Sequence, residues 1–328
     1  MRFLLKLVFV ALIVVSAWLA WAILVPTQPA ETTFVMLKPG WSTRRIASEL
    51  QSRGVIRSWR AFLLYHYVLK PRTLKAGEYK FEGPENNLLV HTRLVRGDIY
   101  VHTVVVPEGF NVFDIASAVE AAGLGRKEDF LAQTEKQVSL IRDLDPEAKT
   151  LEGYLFPDTY GFTRTQSMQD IVAAMVHRFK QEANSIGLNS DVHRTVTLAS
   201  IVEKETAAPE ERPLVAGVYL NRLQKRMALD ADPSVIYASL LAGHYQGIIY
   251  QSDLHLDSAY NTYKNAGLPP GPIANPGKAS LLAAMNPTRS DYLYFVSDNN
   301  GHHRFARTLD EHSRNVALYR RAVAAAAK

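Results

Sequence analysis

The sequence contains no cysteine among its 328 residues. Disulfide bridges, a thiolate nucleophile, a cysteine-based zinc site and a lipid anchor on cysteine are therefore excluded. Ten histidines are present, but no HExxH or comparable spacing of metal ligands occurs. The GxSxG pattern of a serine nucleophile, the P-loop and GxGxxG are also missing. We therefore expect neither a metal ion nor a nucleotide or other cofactor.

The sequence also has no strong excess of positive or negative charge. Lys and Arg number 37 against 32 Asp and Glu, which gives a net charge of +5 without a dense basic run. This modest excess predicts no nucleic-acid partner, although it suits a position near anionic lipid or an acidic polymer. Hydrophobic residues make up 47% and charged residues 21% of the chain, as in folded proteins with a sizeable core.

Residues 7–25 form an apolar run without a single charge. A helix needs roughly 20 apolar residues to cross a hydrocarbon core, and this run meets that length. Arg2 and Lys6 precede it, and basic flanks favour the cytoplasmic side. We expect a single-pass anchor that contacts membrane lipid through residues 7–25. The N-terminus would be cytoplasmic and the rest of the chain would lie outside the cell (inner) membrane.

Two alternatives exist for this run. Ala20-Trp21-Ala22 has the small-x-small form of a signal-peptide cleavage site. The run extends past that site, however, and is longer than the roughly 7–15 residues of a signal-peptide core. A buried core helix is the second alternative, and the N-terminal position argues against it.

Two stretches in the first half of the chain resemble each other. The pairs at a constant offset are Gly40 and Gly109, Ser42 and Asn111, Ile46 and Ile115, and Gly54 and Gly123. Each copy predicts a strand, a glycine turn, a helix capped by Ser42 or Asn111, and a glycine stop. We also expect a strand over residues 77–81 and a helix after Pro84. Chance similarity of two common units is the alternative to duplication.

The first copy, roughly residues 32–100, resembles a LysM-type module, a small β-α-α-β fold that binds glycans. A purely structural spacer is the alternative.

Residues 196–206, VTLASIVEKET, contain a candidate catalytic residue that the spacing of a helix face identifies. Leu198, Ile201, Val202 and Glu205 recur at the spacing of one helix face, whereas Glu203 points elsewhere. Burial against apolar side chains raises the pKa of a carboxyl group. A glutamic acid that keeps its proton near neutral pH is what a general acid for a glycosidic bond requires. Alternatively, Glu205 turns into solvent at the helix end or pairs with an arginine.

The rest of the second half predicts further elements. We expect helices over residues 168–183 and 235–241, the latter capped by Asp232 or Ser234, and another helix that ends near Leu223. Residues 267–277, GLPPGPIANPG, predict a stiff loop because proline fixes φ and lacks an N–H group. Residues 292–297 and 303–306 predict a hairpin with its turn at residues 299–301.

A set of short motifs together resembles the MltG (YceG-like) endolytic murein transglycosylase family. The motifs are ASIVEKET at 199–206, EGYLFPDTY at 152–160, NRL at 221–223, DPSVIY at 232–237, YNTY at 260–263, GLPPGPIANPG at 267–277 and YLYFV at 292–296. The N-terminal anchor, the LysM-like module and LKAGEYKF at 74–81 fit the same family.

The resemblance implies an α+β protein with three parts: an anchor over residues 1–26, a LysM-like module over 27–100, and a catalytic YceG-like domain over 101–328. Residues 101–150 would be a repeat-like connection. It also implies an enzyme that cuts peptidoglycan strands internally near the membrane and leaves 1,6-anhydro-N-acetylmuramic acid ends. Work beside the peptidoglycan synthases is a further expectation of the resemblance.

The resemblance places the essential glutamate in the EKE motif, at Glu205, with Glu203 as the second choice. Substrate orientation or charge stabilisation is expected from Glu152, Asp158 and Asp232. Sugar contacts are expected from Asn221, Tyr260, Asn261, Thr262 and Tyr263, each of which could instead brace a loop.

Two other functions compete with this interpretation. A non-catalytic peptidoglycan-binding scaffold would share the anchor and the repeat. A hydrolytic muramidase would use Asp232 or Glu203 as a second carboxylate.

Overall fold

The structure, a computed structural model, describes residues 2–326. Twelve α-helices within these residues run Arg2–Leu24 (α1), Thr43–Ser52 (α2), Trp59–Leu64 (α3), Asn87–Arg96 (α4), Val112–Ala121 (α5), Lys127–Lys136 (α6), Met168–Ser185 (α7), Val192–Glu205 (α8), Arg212–Gln224 (α9), Asp232–Leu241 (α10), Lys278–Met285 (α11) and Leu309–Ala326 (α12). The described strands are Thr33–Leu37 (β1), Gly77–Phe81 (β2), His102–Val105 (β3), Thr159–Phe162 (β4), Tyr294–Ser297 (β5) and His303–Ala306 (β6). A π-helical turn, Tyr65–Leu69, and 3₁₀ turns at Val138–Leu140 and Asp253–His255 complete the elements.

These elements confirm the mixed α+β class with an apolar N-terminal helix. The strands pair as β1–β2, β3–β4 and β5–β6 in the described part of the chain. The chain divides into two compact units: residues 1–102 with 161–167, and residues 103–160 with 168–328.

Helix α1 has a mean hydropathy of 2.7 and is long and apolar enough to cross a membrane. Its 23 residues span about 35 Å at 1.5 Å per residue, compared with about 30 Å of hydrocarbon. Most of its side chains are exposed, in contrast to a buried core helix, but Ala22 near its end is buried. The Asn86 side-chain amide donates to the Leu24 carbonyl oxygen at 3.2 Å, which joins the end of α1 to the start of α4.

In the first unit, α2 and α3 lie along the chain between the antiparallel strands β1 and β2. Strand β1 pairs with β2 in a register that sets Thr33 opposite Phe81 and Leu37 opposite Gly77. The order of elements is therefore β1-α2-α3-β2. The LysM-like nature of this module stays a prediction.

The two copies of the repeat have matching helix ends. Ser42 caps α2 by accepting from the Arg45 N–H, and Asn111 caps α5 in a reciprocal capping box with Asp114. Gly54 and Gly123, which follow these helices, both have φ of +71°, a conformation that glycine adopts at little cost. The predicted caps and stops of both copies are therefore confirmed.

The second unit packs its helices around α8. One core cluster joins α8 side chains to those of α9 and the β5–β6 hairpin. Its members include Leu198, Ile201, Val202, Val215, Ala216 and Tyr219, with Phe295 and Phe305 packed against them. The buried stripe predicted for this helix is confirmed, and the helix begins four residues earlier in the chain than expected, at Val192.

One predicted cap is wrong. Helix α10 starts at Asp232, with Ala231 at the cap position, and no side chain caps it. Pro233 in the first turn explains the early start, because its fixed φ suits a helix and its missing N–H is not needed there. The Ser234 hydroxyl donates to the Ala231 carbonyl oxygen and accepts from the Thr262 N–H, so it caps no N–H group of its own helix.

Candidate active site

Glu205 is the last residue of α8 and is half-buried. Leu198, Ile201 and Val202 on the same face are almost completely buried, so the stripe carries the carboxyl group to the edge of the core. The helix ends there because Thr206 adopts an extended conformation with φ of −137°. The sequence pattern therefore identified the correct face of the helix.

The Glu205 carboxyl group has one direct hydrogen-bond donor among the described side chains. The Tyr219 hydroxyl on α9 donates to Glu205 Oε1 at 2.7 Å. Burial raises the pKa of Glu205 to about 7, and the nearby Asp232 charge acts in the same direction. The Tyr219 hydrogen bond and the Arg222 charge oppose this rise. At neutral pH the group therefore exists in both protonation states.

Two hollows of the second unit share Glu205 in their walls. The first has a volume of about 360 Å³, and its lining residues include Glu205, Tyr219, Arg222, Asp232, Tyr263, Tyr294 and His312. The second has a volume of about 400 Å³ and is lined by Glu108, Gly109, Glu203, Lys204, Glu205, Thr206, Ala207 and Arg212. Volumes of this size are typical of small-molecule sites. A chain-like ligand that occupies both hollows would pass the Glu205 carboxyl group.

Asp232 and Tyr263 are the predicted ligand contacts that line the same hollow as Glu205. The Tyr263 hydroxyl donates to Asp232 Oδ1 at 2.6 Å, which fixes both side chains. Burial raises the pKa of the Tyr263 hydroxyl above its ordinary value, so this group keeps its proton and remains a hydrogen-bond donor at neutral pH.

Asn261 and Thr262 lie beneath this pair and are buried. Asn261 donates to the Leu254 and Leu256 carbonyl oxygens at 3.0 and 2.9 Å. The Thr262 hydroxyl oxygen accepts from the Ala231 N–H at 3.0 Å and so holds the start of α10. Because both side chains are buried, neither reaches a ligand in this structure.

Glu203 has a different environment from Glu205. It accepts from the Arg212 guanidinium at 3.0 Å and from the Gly277 N–H at 2.9 Å. Only 4% of its side chain is exposed. Both of its carboxylate oxygens are therefore engaged in holding the proline-rich loop and α9 against α8.

The proline-rich loop over residues 267–277 makes two further hydrogen bonds to α8. The Ile273 N–H donates to the Ser200 hydroxyl at 3.0 Å, and His193 Nε2 lies 3.0 Å from the Pro270 carbonyl oxygen. The loop contains neither helix nor strand, as its prolines predicted.

Glu152 is buried in the second unit rather than exposed at a hollow. It accepts from the Val112 N–H at 3.0 Å and from the Asn275 amide at 2.9 Å, and the Tyr237 hydroxyl also hydrogen-bonds to it. Burial raises its pKa to about 8. In this structure Glu152 joins α5, α10 and the proline-rich loop, and it has no access to a ligand.

The remaining predicted contacts lie away from the hollows around Glu205. Asp158 accepts from the Arg178 guanidinium at 2.7 Å. The Asn221 amide donates to the Ser290 and Tyr292 carbonyl oxygens at 2.7 and 2.9 Å. The Tyr260 ring packs against Tyr237, with 5.0 Å between ring centroids.

Sequence reasoning missed the other eight lining residues of the first hollow, among them Tyr219, Arg222, Tyr294 and His312. Tyr219 and Arg222 are three positions apart on α9, and this helical spacing could have pointed to a shared face. Tyr294 and His312 stack with their centroids 5.2 Å apart, which no local pattern indicates.

Fold and site together define a class of protein. The described residues include one apolar helix that could cross a membrane and a folded part in which two hollows share a carboxyl group suited to proton transfer. Within residues 2–326, no group of three or more potential metal ligands could hold an ion.

The chain belongs to the YceG-like family, whose model matches residues 35–318. This confirms the resemblance found in the motifs. An endolytic murein transglycosylase from Bacillus subtilis (strain 168) is 34% identical over 310 residues, which cover 88% of this chain and 85% of that protein. A protein of the same name from Streptococcus pneumoniae (strain D39) is 31% identical over 86% of this chain. The alignment covers 57% of that longer relative.

A crystal structure of a yceG-like protein from Listeria monocytogenes has the same fold. The TM-score is 0.58 at 33% sequence identity, and the match covers 87% of this chain and 98% of the other.

Proposed function

We propose that this protein is an endolytic murein transglycosylase that cleaves the β-1,4 bond between N-acetylmuramic acid and N-acetylglucosamine inside peptidoglycan strands. The names of the relatives support the reaction class. The observation that carries the proposal is Glu205, a half-buried carboxyl group that lines two hollows and has a pKa raised to about 7.

Glu205 supplies both proton transfers in this proposal. The protonated carboxyl donates to the glycosidic oxygen while the bond to C1 of muramic acid breaks. The resulting carboxylate then takes the proton of the C6 hydroxyl of the same sugar, whose oxygen attacks C1. The anhydro ring closes, no water is consumed, and Glu205 recovers its starting proton. A pKa close to ambient pH suits both steps, since one group must first give and then accept a proton.

Asp232 and Tyr219 assist the two proton transfers of Glu205 in different ways. Asp232 places a negative charge in the hollow, where positive charge develops on the sugar ring in the transition state. The Tyr219 hydroxyl fixes the orientation of the Glu205 carboxyl group.

Hydrolysis is the second candidate, because Asp232 shares a hollow with Glu205 and could activate water. The mass of the product separates the two reactions. A transglycosylase leaves an anhydro end that is lighter by one water than the reducing end left by a muramidase.

Glu205→Gln tests the proposal with Glu203→Gln as the matched control two residues away. We expect Glu205→Gln to fold and to lose cleavage of uncrosslinked glycan strands by about 10²–10⁴-fold, the usual contribution of general acid–base catalysis. Glu203→Gln should keep most activity and lose stability, because it weakens the contacts with Arg212 and Gly277. Full activity in Glu205→Gln, or the reverse order of the two variants, contradicts the assignment.

Location completes the proposal. Helix α1 would anchor the enzyme in the cell membrane, with Arg2 and Lys6 on the cytoplasmic side and the remainder outside. We also propose that the LysM-like module reads glycan and that peptidoglycan synthases are neighbours. Pull-down of the β1-α2-α3-β2 unit with purified peptidoglycan tests the first of these.

A further inference from the structure

Five large apolar side chains of the first unit project into solvent. Their exposed fractions range from 42% to 66%, and we refer to them as the apolar rim: Leu64, Tyr67, Val68, Leu69 and Leu89. Scattered exposed hydrophobic residues are ordinary, but a grouped set of this kind marks an interaction surface.

A buried histidine pair joins two of the elements that carry the rim. Leu64 ends α3, and the π-helical turn Tyr65–Leu69 continues directly from it. His66 Nδ1 of that turn lies 3.1 Å from His91 Nε2 on α4, the helix that carries Leu89. The Tyr65 ring also packs edge-on against the His91 ring, with 5.1 Å between centroids. These contacts place the turn beside α4, so the exposed side chains of both elements belong to the same part of the first unit.

This surface adjoins the end of the membrane-spanning candidate α1. Both α3 and α4 contact α1. Asn86, which caps α4 by accepting from the Leu89 N–H, also donates to the Leu24 carbonyl oxygen. The Arg57 guanidinium lies 4.3 Å from the ring centroid of Trp21. Tryptophan near the end of such a helix marks the level of the lipid headgroups.

Charge at the edge of the rim also suits lipid. Leu69 is followed by Lys70 and, two residues later, by Arg72, both exposed. Neither forms a salt bridge with another residue of the described chain. An aromatic and aliphatic run next to basic residues is the composition of segments that lie in the membrane interface and attract anionic headgroups.

We propose that the apolar rim inserts into the outer interface of the same membrane that α1 crosses, with Lys70 and Arg72 on anionic headgroups. The first unit then has two attachments to the bilayer rather than one. A second attachment fixes the orientation of this unit, which a single helix leaves free to rotate about its own axis.

The absence of cysteine makes the test direct, since each single-cysteine variant carries one nitroxide label. The full chain is reconstituted in phosphatidylcholine–phosphatidylglycerol vesicles, with labels in Val68→Cys and Leu89→Cys. Val15→Cys within α1 is the lipid reference. Lys38→Cys is the aqueous control. Lys38 follows Leu37 at one end of β1, whereas the Thr27–Glu85 bridge near α1 lies beyond the other end of this strand.

We expect the Val68 and Leu89 labels to be mobile, accessible to oxygen and shielded from a water-soluble nickel complex, as at Val15. The Lys38 label should show the opposite preference. Replacing both Lys70 and Arg72 with Glu should shift the Val68 label toward nickel accessibility.

Nickel accessibility at Val68 and Leu89 with oxygen accessibility at Val15 overturns the proposal while leaving the anchor intact. Labels that are immobilised and shielded from both reagents indicate a protein partner or a second copy, and also overturn it. Nickel accessibility of the Val15 label overturns both the membrane anchor and the insertion of the apolar rim.

Discussion

Two glutamates on α8, two positions apart, have opposite environments. Glu203 is held by a guanidinium and a backbone N–H, whereas Glu205 faces a hollow and has one phenolic donor. Two residues along a helix correspond to a rotation of about 200°, so neighbours in sequence face different surroundings. The difference in environment, rather than residue type, separates a structural carboxylate from a group that can exchange a proton.

Tyr219→Phe tests how Glu205 acquires its pKa. The Tyr219 hydrogen bond stabilises the ionised carboxylate and so lowers the pKa of Glu205. Its removal should raise that pKa above about 7. In the wild type we expect activity to fall as pH rises through about 7, because the acid form is lost. The variant should lose activity at higher pH, as measured by the pH dependence of glycan cleavage.

Tyr260→Phe is the control for this shift. Tyr260 is also a largely buried phenol, but it packs against Tyr237 and does not line the Glu205 hollow. Its pH profile should match that of the wild type. Identical profiles for all three proteins would show that the Tyr219 hydroxyl has no influence on the catalytic proton.

At this scale the sequence predicted the position of Glu205 but not its partners. Helical periodicity is a local property, and it placed the carboxyl group on the buried face. Tyr219 and His312 come from helices elsewhere in the chain, and their approach depends on tertiary packing. Asn261 and Thr262 were expected either to contact sugar or to brace a loop, and here they satisfy buried backbone groups, as the second alternative predicted.

At the scale of elements, helix ends were the most predictable feature. Ser42 and Asn111 supply side-chain oxygens, and the glycines that follow α2 and α5 supply positive φ, so the local chemistry alone defines the ends. The start of α10 could not be found this way. Its first turn is held by Thr262, which comes from a different segment.

At Gly217 in α9 we expect a Gly→Ala change to destabilise the protein, contrary to its usual effect in a helix. Gly→Ala within a helix normally stabilises by up to about 1 kcal/mol. A Cβ atom at Gly217 would lie 2.2 Å from the Thr288 carbonyl oxygen, so the backbone must move. We expect Gly217→Ala to lower the free energy of unfolding by about 1–3 kcal/mol, measured by denaturant titration in mild detergent.

Gly83→Ala provides the comparison, because a Cβ atom there has nothing within 4 Å. Its unfolding free energy should stay close to that of the wild type. Equal stability of the Gly217 and Gly83 variants would contradict the close approach of α9 to the Thr288 segment.

At the scale of the whole molecule, the sequence predicted the α+β class, but it missed β4, α6, α11 and α12 and did not predict how the chain is shared between its two units. Residues 161–167 belong to the first unit, although α5 and α6, which precede them in the chain, belong to the second. Arg164 in this segment donates to Glu78 of β2 at 2.8 Å. A contact between residues so distant in sequence leaves no local signature.

Glu152 makes the stability of the molecule depend on pH. Its folded-state pKa of about 8 exceeds the ordinary value of 4.5, so the folded state keeps a proton that the unfolded chain releases. The contribution is fully present below the ordinary pKa and is lost as pH rises through the folded value. Relative to Glu152→Gln, the wild type should therefore lose a few kcal/mol between about pH 5 and about pH 9.

Unfolding free energies of both proteins across this pH range provide the measurement. The difference between the two isolates Glu152 from other titrating groups, including Glu205. A difference that stays constant with pH would mean that Glu152 is ionised in the folded protein.

The docking of α1 on the first unit also bears on whether the protein can ever be released. Ala20-Trp21-Ala22 lies inside the helix, Ala22 is 1% exposed, and the Arg57 guanidinium lies over the ring of Trp21. A protease needs an extended and accessible strand, so shedding after folding would first require this joint to melt. If α1 anchors the protein as proposed, the amount of anchored protein is then governed by synthesis and by degradation of the entire chain.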